Sequence, residues 1–345
     1  MQKIAVVGAT GYTGFELLRL LSSHDSVELV LATSEKNANK KISEIFPSLE
    51  KYFSLKFESF SVEKCQGVDL VFCCLPHKVS MDIVPSLLGQ GNRVIDFSAD
   101  YRFKDKEVYQ SWYKIKHKSP DVIQKAVYGM PELYRKEIVD SELVANPGCY
   151  PTGAILGLFP LGKEGLIEPN SIVVDAKSGV SGAGRKEGLQ FQFSEIEQGF
   201  KAYSIANHRH TPEIEQELSK AFGADVKITF TPHLIPVTRG IFSTIYFKAL
   251  ENIQLSKING TLSRFYEKEK FVRIFENQET LDISQVVGTN FVDIKVTFDE
   301  RTGRYIMTTV IDNLVKGASG AAVQNMNLML RIPETKGLPN AGFWI

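Results

Sequence analysis

No stretch of this chain approaches the roughly 20 consecutive apolar residues that a membrane-spanning helix needs. The apolar run at 4–7 is too short for a signal-peptide core and is cut by Gly8. Net charge is also lacking: 40 Lys and Arg balance 40 Asp and Glu. No global field therefore points to nucleic acid or to an anionic membrane, and any anionic ligand must be caught by a few local donors. Cysteine is scarce. Cys65, Cys73, Cys74 and Cys149 are the only four, and their spacing suggests neither a disulfide framework nor a zinc site. The expected setting is a reducing, cytoplasmic one. Internal repeats, low-complexity segments and Pro/Ser-rich linkers are missing too, so two domains, if present, are expected to join without a tether.

What is there suits a globular protein. The chain is 345 residues long, which suggests two domains. Its 43% hydrophobic and 23% charged residues are ordinary for that class. The first half alternates short apolar strands at 4–7, 27–32, 68–75 and 93–97 with helical patterns at 15–22 and 79–89. Such alternation predicts an α/β fold with a parallel, doubly wound sheet. After Asn146-Pro147-Gly148 the character changes. A helical stretch at 152–161 precedes strand-like segments at 172–175, 226–231, 241–247, 292–298 and 305–311. Long strands with few helices between them predict a mixed, largely antiparallel sheet in a second, α+β domain. A helical pattern returns at 321–330.

Gly8-Ala9-Thr10-Gly11-Tyr12-Thr13-Gly14 stands between the first strand and the first helix. Glycines there let backbone turn tightly and approach a phosphate, which a helix N-terminus attracts. At the end of the second strand, where an acidic residue usually holds the ribose of NAD, the segment reads Thr33-Ser34-Glu35-Lys36. Ser34 and Lys36 suit a 2′-phosphate, whereas Glu35 pulls the other way. The balance favours NADP or NADPH.

Cys149 lies in Asn146-Pro147-Gly148-Cys149-Tyr150-Pro151-Thr152, just before an apolar helix whose first turn accepts Pro151. A thiol at a helix N-terminus is favoured as the nucleophilic thiolate. The other three cysteines read as small buried hydrophobes. Asn207-His208-Arg209-His210-Thr211-Pro212-Glu213 offers two histidines before a helix expected to be capped by Thr211, with Pro212 at its first position. Histidine can hold a thiolate as an ion pair and carry its proton, but the residues alone leave open whether either one merely caps or packs. His77 and His233 are lesser candidates. No metal site is expected, because His-x-His finds no further ligand at suitable spacing. Arg102, Arg185 and Arg239 follow or precede turn-forming residues and are candidate anion clamps. Each has a surface or structural reading as the alternative.

Eight motifs in order now carry a family resemblance over essentially the whole chain: GATGYTG, SADYRF, YGMPEL, ANPGCYPT, KSGVSGAGR, NHRHTPEI, TPHLIPVTRG and DNLVKGASGAAVQNMN. Together they resemble the N-acetyl-gamma-glutamyl-phosphate reductases, which are similar in plan to aspartate-semialdehyde dehydrogenase and glyceraldehyde-3-phosphate dehydrogenase. The resemblance implies a Rossmann domain of residues 1–148 completed by 316–345, and a catalytic and oligomerisation domain of residues 149–315. It implies Cys149 as nucleophile, with His208 and His210 as the acid/base region. Gly8, Thr10, Gly11, Tyr12, Thr13, Gly14, Ser34 and Lys36 would hold the cofactor. Ser178, Gly179 and Asn313 would meet its nicotinamide end. Arg102 would face the substrate phosphate, with Arg185 and Arg239 as further substrate contacts. Glu35-Lys36 departs from the family pattern, in which an arginine often follows the position of Ser34.

The expected reaction is NADPH-dependent reduction of an acyl phosphate to an aldehyde through a cysteine thioester, in arginine biosynthesis. The partners implied are a small acyl-phosphate substrate and further copies of the chain, as a homodimer or homotetramer. Competing readings keep the chemistry with another acyl phosphate, drop the hydride step to leave a cysteine hydrolase or acyltransferase, or drop catalysis to leave a dinucleotide-binding regulator.

Overall fold

The computed structural model describes residues 1–185, 187–250 and 253–343. The chain divides into two compact units, Met1–Pro147 with Ala318–Leu338, and Gly148–Gly317 with Pro339–Ile345.

The first unit holds β1 (Gln2–Val7), β2 (Val27–Ala32), β3 (Leu70–Cys73), β4 (Arg93–Asp96), β5 (Ala126–Tyr128) and β6 (Leu143–Ala145). Their order is β2-β1-β3-β4-β6-β5, and every pairing is parallel. A parallel sheet is covered on both faces, and so its strands are apolar throughout; all four residues of β3 are buried. Ala5, Val7, Val71, Cys73 and Val94 pack with Val84 and Leu87 of the helix Ser80–Gly89. β5 and β6, at three residues each, were too short for their periodicity to stand out. The first helix runs Tyr12–Leu21 and starts directly after Gly11. The apolar stripe placed its start later because that stripe marks only the buried face, and Tyr12 and Thr13 do not belong to it.

The C-terminal helix Gly320–Met329 belongs to this unit and is buried along its length. Ser319 Oγ donates to the Thr13 carbonyl at 2.8 Å, and Gln324 Nε2 donates to Glu132 Oε1 at 3.0 Å. Asn327 Oδ1 lies 2.9 Å from His24 Nε2, while its amide donates to the carbonyls of Glu334 and Lys336. Such buried polar contacts fix the register of a helix whose apolar face alone would not.

The second unit holds β7 (Val173–Ser178), β8 (Lys201–Ala202), β9 (Thr229–Leu234), β10 (Ile241–Phe247), β11 (Val272–Ile274), β12 (Val292–Asp299) and β13 (Arg304–Ile311). Their order is β11-β12-β13-β10-β7-β9-β8. Only β11/β12 and β7/β9 pair in parallel, so the sheet is mixed and largely antiparallel. β9 runs three residues past the expected end at Thr231, through Pro232. A proline in mid-sheet would remove a ladder donor, but the neighbour on that side, β8, pairs only with His233 and Leu234.

The helix Cys149–Lys163 packs on one face of this sheet. A Cβ on Gly153 would stand 2.8 Å from Thr309 Oγ1, and Gly157 lies as close to the Met307 side chain. These two glycines, four residues apart on one helix face, bring the helix down onto β13.

Gly8 combines a left-handed φ with a close backbone approach. Its φ is +80°, and a Cβ there would lie 2.5 Å from the Cys74 carbonyl oxygen. Gly8→Ala is expected to destabilise the unit by about 3 kcal/mol, combining left-handed strain with a backbone clash; urea unfolding measures it.

Candidate active site

In the first unit the glycine-rich loop is tied down from beneath. The Ala9 amide donates to the Thr33 carbonyl at 2.9 Å, and the Gly8 amide to Thr33 Oγ1 at 3.2 Å. The Thr33 hydroxyl is thus used internally and is buried. Gly14 allows the helix to settle on the loop, since a Cβ would meet the Ala9 carbonyl oxygen at 2.5 Å. Gly11, the N-cap, has open space where its Cβ would be and, as glycine, brings no side chain to cap the helix. A helix start whose N-cap residue offers no acceptor of its own is an arrangement that suits a phosphate. Thr10 Oγ1 lies 3.0 Å from Ser34 Oγ, and Lys36 is exposed just beyond. Tyr12 is exposed at the helix start. Glu35 turns away from this group, because its Oε1 accepts the Phe60 amide at 2.8 Å. Its charge, which seemed to oppose a 2′-phosphate, is spent on a neighbouring loop.

Arg102, in the same unit, is buried. Its Nε donates to the Asn146 carbonyl and its Nη2 to the Phe97 carbonyl, both at 2.8 Å. It braces the Asn146–Pro147 turn that leads in sequence to Cys149. His77 accepts the Ala99 amide at Nδ1 and packs edge-on against Tyr113, a structural role.

In the second unit Cys149 is the first residue of its helix, with Gly148 as N-cap. It is half-buried. Cys65 and Cys73 are buried, and Cys74 is half-buried; desolvation pushes Cys65 up to about 11 and raises Cys73 and Cys74 as well. The turn at Cys149 is held from two sides. The Gly148 amide donates to Glu213 Oε1 at 2.8 Å, and Glu213 is fully buried. Gly317 packs so closely that a Cβ on it would lie 2.9 Å from the Cys149 Cβ.

His208 and His210 both come to this place, but in different states. His208 is ringed by Tyr150, Tyr203, Phe230 and His210. Burial, with the Arg209 charge behind it, pushes its pKa down to about 4. Its Nδ1 accepts the His210 amide at 3.1 Å, so it stays neutral at ordinary pH. His210 precedes the helix Thr211–Phe222 as N-cap and lies edge-on to Tyr150 at 5.9 Å between ring centroids. Thr211 is the first helical residue and Pro212 the second, one position later than the sequence suggested, and Thr211 caps nothing. Proline needs only a helix position without a required N–H, and the second serves as well as the first.

The Tyr150 hydroxyl stands 3.0 Å from that of Tyr203 and donates to the His233 carbonyl. Burial pushes Tyr203 up to about 12 and raises Tyr150 further, with Cys149 adding to both. His233 Nδ1 lies 3.1 Å from Asp175 Oδ1.

Ser178, Gly179 and Asn313 meet in one web. Asn313 Oδ1 accepts the Gly240 amide at 2.7 Å, and its Nδ2 donates to Ser181 Oγ at 2.9 Å. The Gly179 amide donates to the Gly240 carbonyl at 2.9 Å, and a Cβ on Gly179 would strike the Thr238–Arg239 backbone. Arg239 spends its guanidinium on the fully buried Asp312, at 3.0 Å. Asp312 also accepts the amides of Gly288 and Leu314. Arg239 thus fastens this web, whereas Arg185 stays exposed on its loop. Among the described residues no group of three or more His, Cys, Asp or Glu is arranged for a metal.

Two family models match the chain: a semialdehyde dehydrogenase NAD-binding domain over residues 3–141, and a semialdehyde dehydrogenase dimerisation domain over 149–313. The N-acetyl-gamma-glutamyl-phosphate reductase of Geotalea daltonii is 48% identical over 100% of both chains. That of Geobacter sp. strain M21 is 50% identical over 98% of both. This chain belongs to the N-acetyl-gamma-glutamyl-phosphate reductase family. Among solved structures, aspartate semialdehyde dehydrogenase II of Vibrio cholerae aligns with TM-score 0.72 at 18% identity, over 96% of this chain and 99% of that one. The aspartate semialdehyde dehydrogenase of Candida albicans, solved with NADP, aligns at 0.71 and 16% identity, over 96% and 98%. These two likenesses show a shared fold.

Reading by motif missed Gly317, Glu213 and Tyr203. Gly317 sits in a five-residue π-helix, Val315–Ser319, for which no local pattern speaks. Glu213 was legible only as an acidic residue in a first helical turn, and Tyr203 lies in a stretch with no motif. Gly317→Ala should retain the fold but lose about tenfold or more in turnover, since its methyl group must push Cys149 aside; steady-state kinetics read the loss, each tenfold being about 1.4 kcal/mol in the barrier. His208 generates a pH effect. Its folded pKa of about 4 lies below the ordinary 6.5, so the unfolded chain binds the extra proton between these values and stability falls as pH drops through that window. His208→Phe should flatten this acid-side loss, as seen in urea midpoints at pH 7 and pH 5.

Proposed function

We propose that this chain reduces N-acetyl-gamma-glutamyl phosphate to N-acetylglutamate 5-semialdehyde with NADPH, in arginine biosynthesis, through a thioester on Cys149. The observation that carries the reading is a half-buried cysteine at the start of a 15-residue helix, followed directly by Tyr150, against which both histidines pack, in a chain that belongs to that family. The glycine-rich loop fits the cofactor: a helix start whose N-cap brings no side-chain acceptor and the open face of Gly11 suit a pyrophosphate, and Ser34 with Lys36 suits a 2′-phosphate. When bound, NADPH supplies the hydride that takes the thioester to the aldehyde level.

Cys149 begins the reaction. Its thiolate, favoured by the positive helix end, attacks the acyl carbonyl carbon, and the carbon–oxygen bond to phosphate breaks as phosphate leaves with the bonding pair. Amides of the first turn face the oxygen that gains charge, as an oxyanion site requires. Arg102 and the exposed Arg185 are the candidate partners of the phosphate, whereas Arg239 acts by holding the Asn313 web in shape. At the aldehyde level the oxygen takes a proton from His210, and it gives that proton back to His210 as the carbon–oxygen double bond re-forms, the carbon–sulfur bond breaks and its electron pair returns to Cys149. Neutral His208 takes no part in that transfer. With Tyr150, Tyr203 and Phe230 it forms an aromatic wall that keeps water from the thioester. The span matched to a dimerisation domain supports a homo-oligomer, a homodimer or homotetramer, and four cysteines outside any disulfide suit the cytoplasm.

The test runs the reaction backward, supplying N-acetylglutamate 5-semialdehyde, phosphate and NADP and following NADPH absorbance. Phosphate-dependent NADPH formation is expected, falling by about 10⁴-fold or more in Cys149→Ser. Aspartate semialdehyde should serve poorly. No turnover with any semialdehyde, in a protein that binds NADP, would sink the reading.

A further inference from the structure

Among the described residues, six that are not glycine hold a left-handed backbone, and two of them are lysines. Lys114 closes a helix, an ordinary place for that conformation. Lys78, at φ +78°, does not. It stands in the turn between β3 and the helix Ser80–Gly89. A left-handed residue that carries a side chain is strained, and it persists only where its surroundings hold it.

What holds it is a carboxylate. Asp100 is fully buried, and the Lys78 amide donates to both of its oxygens, at 2.9 and 3.0 Å. The Met81 amide at 3.3 Å and the Tyr109 hydroxyl at 2.7 Å complete the group. Beside it, His77 Nδ1 accepts the Ala99 amide at 3.0 Å. A buried carboxylate is costly unless donors meet it, so a demanding group is committed to the shape of this turn. The side chain that the turn carries is left over. Lys78 is exposed, and its ammonium makes no hydrogen bond or ion pair among the described residues.

The sheet order decides what such a cation can meet. In β2-β1-β3, β2 lies on one side of β1 and β3 on the other. Ligands of open parallel sheets bind beyond the carboxyl ends of the strands, where the order reverses in this way. β1 ends at Val7, opposite Cys73 of β3, and the glycine-rich loop follows at Gly8. The two strand ends are in close contact, since a Cβ on Gly8 would lie 2.5 Å from the Cys74 carbonyl oxygen and 3.2 Å from Leu75 Cδ2. Lys78 comes four residues after Cys74. Ser34 and Lys36, which suit a 2′-phosphate, stand on the far side of β1, past the end of β2. The phosphates left for the β3 side are those over the glycine-rich loop. We propose that Lys78 is a cofactor-binding residue whose ammonium meets the pyrophosphate of NADPH, and that Asp100 positions it by holding the strained turn. The inference rests on the reading of the glycine-rich loop as the dinucleotide site.

The test is Lys78→Gly in the full chain, because glycine removes the ammonium and relieves the left-handed strain together. Urea unfolding should give a midpoint at least as high as that of the unaltered protein. Titration with NADPH, followed by nicotinamide fluorescence, should show binding weakened about tenfold. Displacement by NAD should weaken by the same factor, since both dinucleotides carry the pyrophosphate. Lys78→Arg, which keeps the charge, should retain most of the affinity. Unchanged NADPH affinity in Lys78→Gly overturns the proposal. A loss confined to NADPH, with NAD untouched, overturns the assignment to the pyrophosphate. A lowered urea midpoint with weak binding in both variants makes the residue structural and overturns it too. An unaltered protein that binds no dinucleotide would sink the underlying reading instead, so the two failures are distinguishable.

Discussion

A helix that starts inside a protein presents amide groups which must find acceptors, and the second unit is organised around one such start. At Gly148 the amide goes to Glu213, a buried carboxylate on the first turn of another helix. That bond costs the desolvation of a carboxylate, which only the hydrogen bonds it receives can offset. In return it locks two helix starts together, one bearing Cys149 and the other preceded by His210. Gly317 closes the remaining side, and Gly153 and Gly157 set the helix low on its sheet. Cys149 is thereby held on two sides and stays half-buried.

Several charges near these turns are used internally. Half-buried Arg239 pairs with the fully buried Asp312, and Asp312 gathers further amides so that its charge is shared among several donors. Breaking one partner of such a group is far more costly than the pair is stabilising. The same use holds in the first unit, where Arg102 gives Nε and Nη2 to two backbone carbonyls and Glu35 accepts the Phe60 amide. An arginine beside a turn therefore reads the same in sequence whether it faces a ligand or braces a loop.

The two histidines make the point sharply. In sequence His208 and His210 are equivalent candidates two residues apart. Folding surrounds His208 with Tyr150, Tyr203 and Phe230 and lowers its pKa to about 4, which removes it from proton transfer near neutrality. Its Nδ1 also accepts the His210 amide, so it helps to orient the residue that remains. Burial, which no local pattern encodes, sets the two apart.

By itself the sequence determined the parallel sheet, the glycine-rich turn, the cysteine at a helix start and the mixed second sheet. Each of these is written in near neighbours, as a period of two or of 3.6 or a run of glycines, and backbone sterics turn those patterns into shape directly. Short strands such as β5 and the full extent of the first helix escaped, because three residues carry no period and a polar helix face carries no stripe. Only the tertiary structure decided that Gly317 closes on Cys149 from 168 positions away, that Arg239 is a brace, and that His208 is neutral. The physical reason is common to all three: they depend on which distant groups share a buried space, where desolvation and close contact outweigh any local preference.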